Sequence, residues 1–202
     1  MPTGRPRSFD VDEALDIALK VFWRKGYEGT SIDDLTKAMG INRPSLYCAF
    51  GNKEELFRKA LDRYAEGPGA LYREALDEPT ARGVAERLLG GVAEALGDPR
   101  NPRGCLSVRA ALSCGEEADP IRCELNARRA ATDAALRDRL ERAKQEGDLP
   151  ADACPADLAR YLATVAQGMS VQAAGGASPD DLRQIAEVAL RAWPESGRKA
   201  RR

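Results

Sequence analysis

Apolar residues recur at three- and four-residue spacing almost from end to end of this chain, the period of helices that bury one face. Ala14, Leu15, Ala18, Leu19 and Phe22 form the first stripe, which Gly26 ends. Thr30 and Ser31 precede a short second stripe, Ile32, Leu35, Ala38 and Met39, with Asp33 and Asp34 in the first turn, where the helix dipole favours anions. After Gly40, Asn42 is a helix cap with Pro44 just inside it, and Ser45, Leu46, Tyr47 and Phe50 follow. Asn52, with Glu55 three residues on, opens a fourth helix whose apolar face is Leu56, Phe57, Ala60, Leu61 and Tyr64. Gly67-Pro68-Gly69 interrupts the pattern, which resumes over 80–97. Beyond the Pro- and Gly-rich loop 97–104, helical spacing covers 105–113, 120–145, 156–174 and a last stretch from Ser178 to about Pro194. No alternating strand pattern survives, so the expected architecture is all-α with about nine helices.

Composition narrows the chemistry. The 202 residues are 43% apolar and 31% charged, a globular balance for one or two domains. There is no histidine, which removes a Ser-His-Asp triad, a Cys-His protease and a histidine-ligated zinc site. The five cysteines, Cys48, Cys105, Cys114, Cys123 and Cys154, are odd in number and include no Cys-x-x-Cys pair, which disfavours zinc ribbons and secreted disulfide frameworks. No cofactor or metal is expected, an enzyme is not expected, and with no apolar leader or spanning segment the expected location is cytoplasmic. Net charge is −1, unevenly spread: residues 1–60 carry ten Lys and Arg against nine Asp and Glu, 61–197 carry 17 against 23, and the tail from Arg198 adds four positive charges. An acidic body would be turned away from a phosphate backbone, which leaves the N-terminal part to face one.

Residues 31–50 have helix-turn-helix spacing: about eight residues of helix, a tight turn at Gly40-Ile41-Asn42, and a second short helix. An ordinary helical hairpin has the same bare pattern. The stretch from Phe9 to Tyr64 resembles the DNA-binding domain of TetR-family transcriptional regulators. The resemblance is carried by Ala18-Leu19-Lys20-Val21-Phe22, by Gly26-Tyr27-Glu28-Gly29-Thr30-Ser31-Ile32, by Met39-Gly40-Ile41-Asn42 and above all by Ser45-Leu46-Tyr47-Cys48-Ala49-Phe50-Gly51-Asn52-Lys53-Glu54-Glu55-Leu56. It implies a three-helix DNA-binding domain over 8–66, a larger helical domain for effector binding and dimerisation over 67–195, and a basic tail over 196–202. It also implies a homodimeric repressor that a small-molecule effector releases from a palindromic double-stranded operator. Arg43 and Ser45 would face the major groove. Thr30 or Ser31, Tyr47 and Lys53 would contact phosphates, and Arg5 and Arg7 would reach the duplex from the N-terminal arm. Pro44, Cys48 and Ala49 depart from common family usage, so base preference cannot be transferred.

The second half is less explicit. The last two long helices, rich in small residues, would pair with those of a second copy, although an intramolecular core has the same composition. Leu88, Leu89, Val92, Cys105, Leu106, Leu112 and Met169 are candidate effector-pocket residues, although residues of these types are more often plain core. The segment Arg103–Leu112 resembles a branch of the family in which some members sense electrophiles or oxidants through cysteine. Cys105, after a loop glycine and at a helix start, is the candidate for that alternative, and an inert buried thiol is its rival.

Overall fold

The computed structural model describes residues 9–113 and 119–194, without the side chains of 111–113 and 119. Arg5, Arg7 and the basic tail lie outside the described residues, as does the side chain of Leu112. Ten helices are present among the described residues: α1 Val11–Lys25, α2 Ile32–Met39, α3 Arg43–Phe50, α4 Lys53–Glu66, α5 Leu71–Leu76, α6 Ala81–Gly97, α7 Leu106–Ser113, α8 Asp119–Gln145, α9 Pro155–Ala174 and α10 Pro179–Arg191. The fold is all-α, as expected; the additional helix is α5, placed where Gly67-Pro68-Gly69 interrupts the periodicity.

Local chemistry starts these helices. Asp10, Ser31, Asn42, Asn52, Thr80 and Ser178 each accept a backbone N–H from the first turn of the helix they precede. At α2 the arrangement is reciprocal: the Ser31 hydroxyl takes the Asp34 N–H at 3.0 Å, and the Asp34 carboxylate takes the Ser31 N–H at 3.0 Å. Lys25 reaches the same carboxylate at 2.6 Å. That bond first, then those from Ser31, hold the Asp34 carboxyl far below its ordinary range. Ser31→Ala is expected to cost about 1 kcal/mol, read as a lower urea midpoint at unchanged m-value. An unchanged midpoint would remove the capping box from this account.

Two apolar cores organise the chain. The first gathers Ala18, Phe22, Leu35, Leu46, Phe50, Leu56 and Phe57 from α1–α4, and it also takes in Leu106 and Ala110 of α7 and Ile121 and Leu125 of α8. The N-terminal unit is therefore completed by helices from later in the chain. The second core holds Val84, Leu88, Leu89, Leu140, Leu162, Met169, Leu182 and Trp193, from α6, α8, α9, α10 and the residues beyond. Ionic contacts add a tie between α4 and α8: Glu124 lies between Arg58 and Arg128, at 2.6 and 2.8 Å, and Arg128 also reaches Asp62 at 2.7 Å. α5 has no side-chain N-cap. Its C-terminal end is held instead by the buried Arg139 of α8, which donates to the carbonyls of Leu76 and Glu78 at 3.2 and 2.6 Å.

Candidate nucleic-acid interface and the cavity behind it

α2 and α3 meet at Gly40, whose left-handed backbone (φ 65°) turns the chain so that Leu35 and Met39 of α2 face Leu46 and Phe50 of α3. With those residues inward, α3 presents Arg43, Pro44, Tyr47 and Cys48 to solvent, the positions i, i+1, i+4 and i+5 of one helix face. Tyr47 is 48% exposed, so its ring and hydroxyl are open to the solvent side of α3. Arg43 is held in place by Asp33 of α2: its Nε and Nη2 donate to Asp33 Oδ1 at 3.1 and 2.7 Å. Ser45 is half-buried, and its N–H is taken by the Asn42 side chain at 2.9 Å.

The other expected contacts divide. Ser31 is exposed and caps α2, whereas Thr30 is fully buried and its hydroxyl donates to the Gly26 carbonyl at 2.7 Å. Of the two residues with the same chemistry, Ser31 is the one left with a solvent face, and Thr30 has no surface to offer a phosphate. Lys53 opens α4 with its Nζ 4.4 Å from the centre of the Tyr27 ring, a cation–π contact that fixes its direction. Burial lowers its pKa, an effect that Glu28 partly offsets. Pro44 and Cys48 are not among the contacts expected from the sequence, yet their spacing from Arg43 and Tyr47 puts them on the same exposed face.

Behind this domain, against the second one, lies a cavity of about 20 Å³, room for about one water. Its walls come from both units: Trp23 of α1, Tyr64 of α4, Leu71 and Tyr72 of α5, Val92 and Leu96 of α6, Cys105, and Ser170 of α9. The Trp23 and Tyr64 rings meet edge to face, with centroids 4.8 Å apart. The Tyr64 hydroxyl donates to Cys105 Sγ at 3.3 Å. Burial, and then the neighbouring Cys105, push the Tyr64 and Tyr72 hydroxyls well up from the ordinary phenol value, so both remain protonated donors at neutral pH. Trp23 Nε1 donates to the buried Gly104 carbonyl at 2.7 Å. Gly104 has a left-handed φ of 84°, and a Cβ there would fall 3.2 Å from both the Ser170 carbonyl and the Ala174 Cβ of α9. The residue before Cys105 is therefore tied to α1 on one side and pressed against α9 on the other.

Of the pocket residues expected from the sequence, Val92 and Cys105 line this cavity. Leu88, Leu89 and Met169 are instead core residues of the second domain, and Leu106 belongs to the first core. Helical periodicity marks an inward side chain but not whether another atom or a void faces it. The aromatic wall is hidden in the sequence because Trp23 and Tyr64 sit near the ends of helices whose apolar faces already explain them, and Tyr72 lies on α5, the helix that periodicity does not predict.

An exposed second helix of a helix-turn-helix, on a small domain packed against a larger helical one, is the arrangement a DNA-binding regulator needs. The family model described as bacterial regulatory proteins, tetR family, matches residues 14–60, and that for the tetracyclin repressor-like C-terminal domain matches 85–189. The chain is 37% identical over 194 residues to the HTH-type transcriptional repressor ComR of Escherichia coli strain K12, which covers 95% of this chain and 92% of ComR. It is 32% identical over 190 residues to the transcriptional regulator YezE of Bacillus subtilis strain 168, covering 93% of this chain and 97% of that protein. Among solved structures, a cysteine-substituted form of the TetR-family regulator CifR bound to a 26-base-pair operator superposes with a TM-score of 0.89 at 45% identity, covering 95% of this chain and all of that one. This chain belongs to the TetR family of transcriptional regulators, and as such it is a DNA-binding regulator rather than an enzyme. Among the described residues no helix is long and apolar enough to cross a membrane.

Proposed function

We propose that the protein is a homodimeric repressor that a small molecule releases from a palindromic operator. One observation carries the reading. Three large apolar or aromatic side chains stand largely exposed among the described residues: Tyr47 on α3, and Val171 and Val188 on the last two helices. Single exposed apolar side chains are ordinary; these three support the reading by their placement, at the expected DNA face and the expected dimer face. Two-fold pairing through α9 and α10 would set two α3 helices about 34–36 Å apart, or a multiple of that, along the duplex. Within each copy, Arg43 and Tyr47 would meet base edges and backbone, Ser31 and Lys53 would meet phosphates, and Arg5 and Arg7 would extend the contact from the arm. Selection from random duplex DNA at near-physiological salt tests this. Recovery of a palindrome bound two protomers at a time is expected; binding that is only weak and steeply salt-dependent would overturn it.

Asp33 tunes the DNA face. Its carboxylate occupies Arg43 in the free protein and must release that guanidinium before Arg43 can pair with a base. Arg43→Ala is expected to weaken operator binding by about 1–3 kcal/mol and to relax sequence preference at one position of each half-site. Asp33→Asn is expected to strengthen binding to any duplex, because it removes both a competitor and a negative charge. Fluorescence anisotropy on operator and scrambled DNA separates the two effects. Equal affinity of Arg43→Ala and the parent for the operator would exclude Arg43 from the interface.

The effector site in this reading is the cavity between the domains, lined by aromatic and aliphatic groups with two tyrosine hydroxyls and one thiol. Such walls suit a small, mainly apolar molecule bearing one or two hydrogen-bonding atoms. With room for about one water, the cavity admits such a molecule only if its walls on α1, α4, α6 and α9 move apart. The effector would then act through its preference for the parted state. A thiol sensor is the second reading, favoured by the position of Cys105 Sγ in that cavity beside the Tyr64 hydroxyl. Cys105→Ser discriminates them: loss of the response to a thiol-alkylating reagent with operator binding intact supports the sensor.

A further inference from the structure

The loop between α6 and α7 forms, with the end of α1, a surface groove of about 360 Å³ that none of the roles above uses. Among the described residues its lining is Arg24, Arg100, Arg103 and Arg109, with Pro99, Pro102 and Asn101: four guanidiniums and no carboxylate. We propose that this groove is a second ligand site, one for a small anion carrying two or more phosphate or carboxylate groups.

Charge and geometry support the assignment. Asp98 offsets Arg100 alone, at 2.7 Å, and that hydrogen bond is the main reason its carboxyl sits down at about 2. Arg24 and Arg103 have no ion pair with any carboxylate among the described residues, so bringing them together raises the local positive potential without internal relief. Planar guanidinium forks are the side chains best suited to bidentate capture of phosphate and carboxylate oxygens. The walls are also preformed. Two prolines stiffen the loop, the Asp98 carboxylate takes the Arg100 N–H at 2.9 Å, and Arg109 Nη1 donates to the Arg24 carbonyl at 2.7 Å. Arg103 lies against the α9–α10 turn, where a Cβ on Gly176 would come within 3.3 Å of its Nη1. The groove volume falls at the lower end of the range for small-molecule sites, about 300–1,000 Å³.

The placement gives the site a consequence. Arg24 belongs to α1, while Arg100 and Arg103 belong to the loop that leaves α6, so an anion held by both sides joins the DNA-binding domain to the larger one. The same loop ends at Gly104, whose carbonyl holds Trp23. An anion in the groove would thus favour one relative setting of the domains and change operator affinity without entering the internal cavity.

Calorimetric titration of the full chain with inorganic pyrophosphate, and separately with citrate, tests the proposal at an ionic strength held constant with chloride. Saturable binding of one anion per protomer is expected, from either titrant or both, the pattern identifying phosphate or carboxylate as the preferred group. Arg24→Gln with Arg103→Gln is expected to weaken it by about tenfold or more. Asn101→Asp, which keeps every arginine but adds a carboxylate to the groove, is expected to weaken it also. Both variants alter exposed or half-exposed side chains, and an unchanged thermal midpoint shows that they fold. Absence of saturable heat, or equal affinity in the arginine variant, overturns the proposal. Loss of operator binding in the arginine variant with no anion binding by the parent also overturns it, and assigns the groove to DNA phosphates instead.

Discussion

Val171→Glu combined with Val188→Glu is expected to convert the protein to a folded monomer and to lower its operator affinity by about a hundredfold or more. The two valines are 51% and 61% exposed, and each lies on the outer side of its helix. On α9 the stripe continues through Thr164 and Gly168, and a Cβ at Gly168 would meet nothing within 4 Å. On α10 it continues through Gln184 and the half-buried Ile185. The opposite faces, with Leu162, Ala166, Met169, Leu182 and Ala186, are already sunk in the core of the second domain. A glutamate on the outer stripe therefore changes little within one copy, since exposed substitutions stay within about 0.5 kcal/mol. In a two-fold interface each substitution appears twice, and four carboxylates without partners oppose association. The affinity loss comes from separation of the two recognition helices. Linked binding gains about 10²–10⁴ over a single half-site, and a monomer forfeits that gain while its own contacts remain. Sedimentation gives the assembly, and titrations on full and half operators give the affinity. Retained dimers would move the interface elsewhere; monomers with undiminished operator binding would show that pairing is not needed for recognition.

How far these features are readable in the sequence depends on the distance over which their causes act. Asn42, Asn52 and Ser178 announce their helices because the cap bonds span three residues. α5 escapes that logic: its end is held by Arg139, more than sixty residues away, and no local signal records it. The family resemblance leads one to expect the DNA face on α3, and the packing of Leu46 and Phe50 turns Ser45 partly inward and leaves Pro44 and Cys48 exposed on that helix. Thr30 and Ser31 have nearly the same chemistry, and only the path of the chain from Gly26 decides which is buried. The cavity was least accessible. Its walls come from α1, α4, α5, α6 and α9, and of the candidates Leu88, Leu89 and Met169, for which plain core was the standing alternative, all three lie in the core of the second domain.

That cavity gives Trp23 the largest expected effect on stability. Its side chain is only 3% exposed, it packs edge to face on Tyr64, and it supplies the hydrogen bond that satisfies the buried Gly104 carbonyl. Trp23→Ala removes ring and bond together and is expected to cost about 3–5 kcal/mol, a large share of the stability of a domain of this size. Trp23→Phe separates the contributions. It keeps an aromatic ring but leaves the Gly104 carbonyl buried without its donor, at a cost of about 1–3 kcal/mol. Chemical denaturation measures both, and a Phe variant as stable as the parent would show that the indole N–H contributes nothing. The Phe variant also tests the coupling between domains. Gly104 is pressed against α9 and precedes Cys105, so the Trp23 bond directly joins α1 to the loop beside the cavity. If occupancy of the cavity reaches the DNA face through that bond, Trp23→Phe should bind operator as a folded dimer yet respond less to whatever fills or modifies the cavity. A full response would mean that the signal passes instead through Tyr64 and α4, the other wall that belongs to the DNA-binding domain.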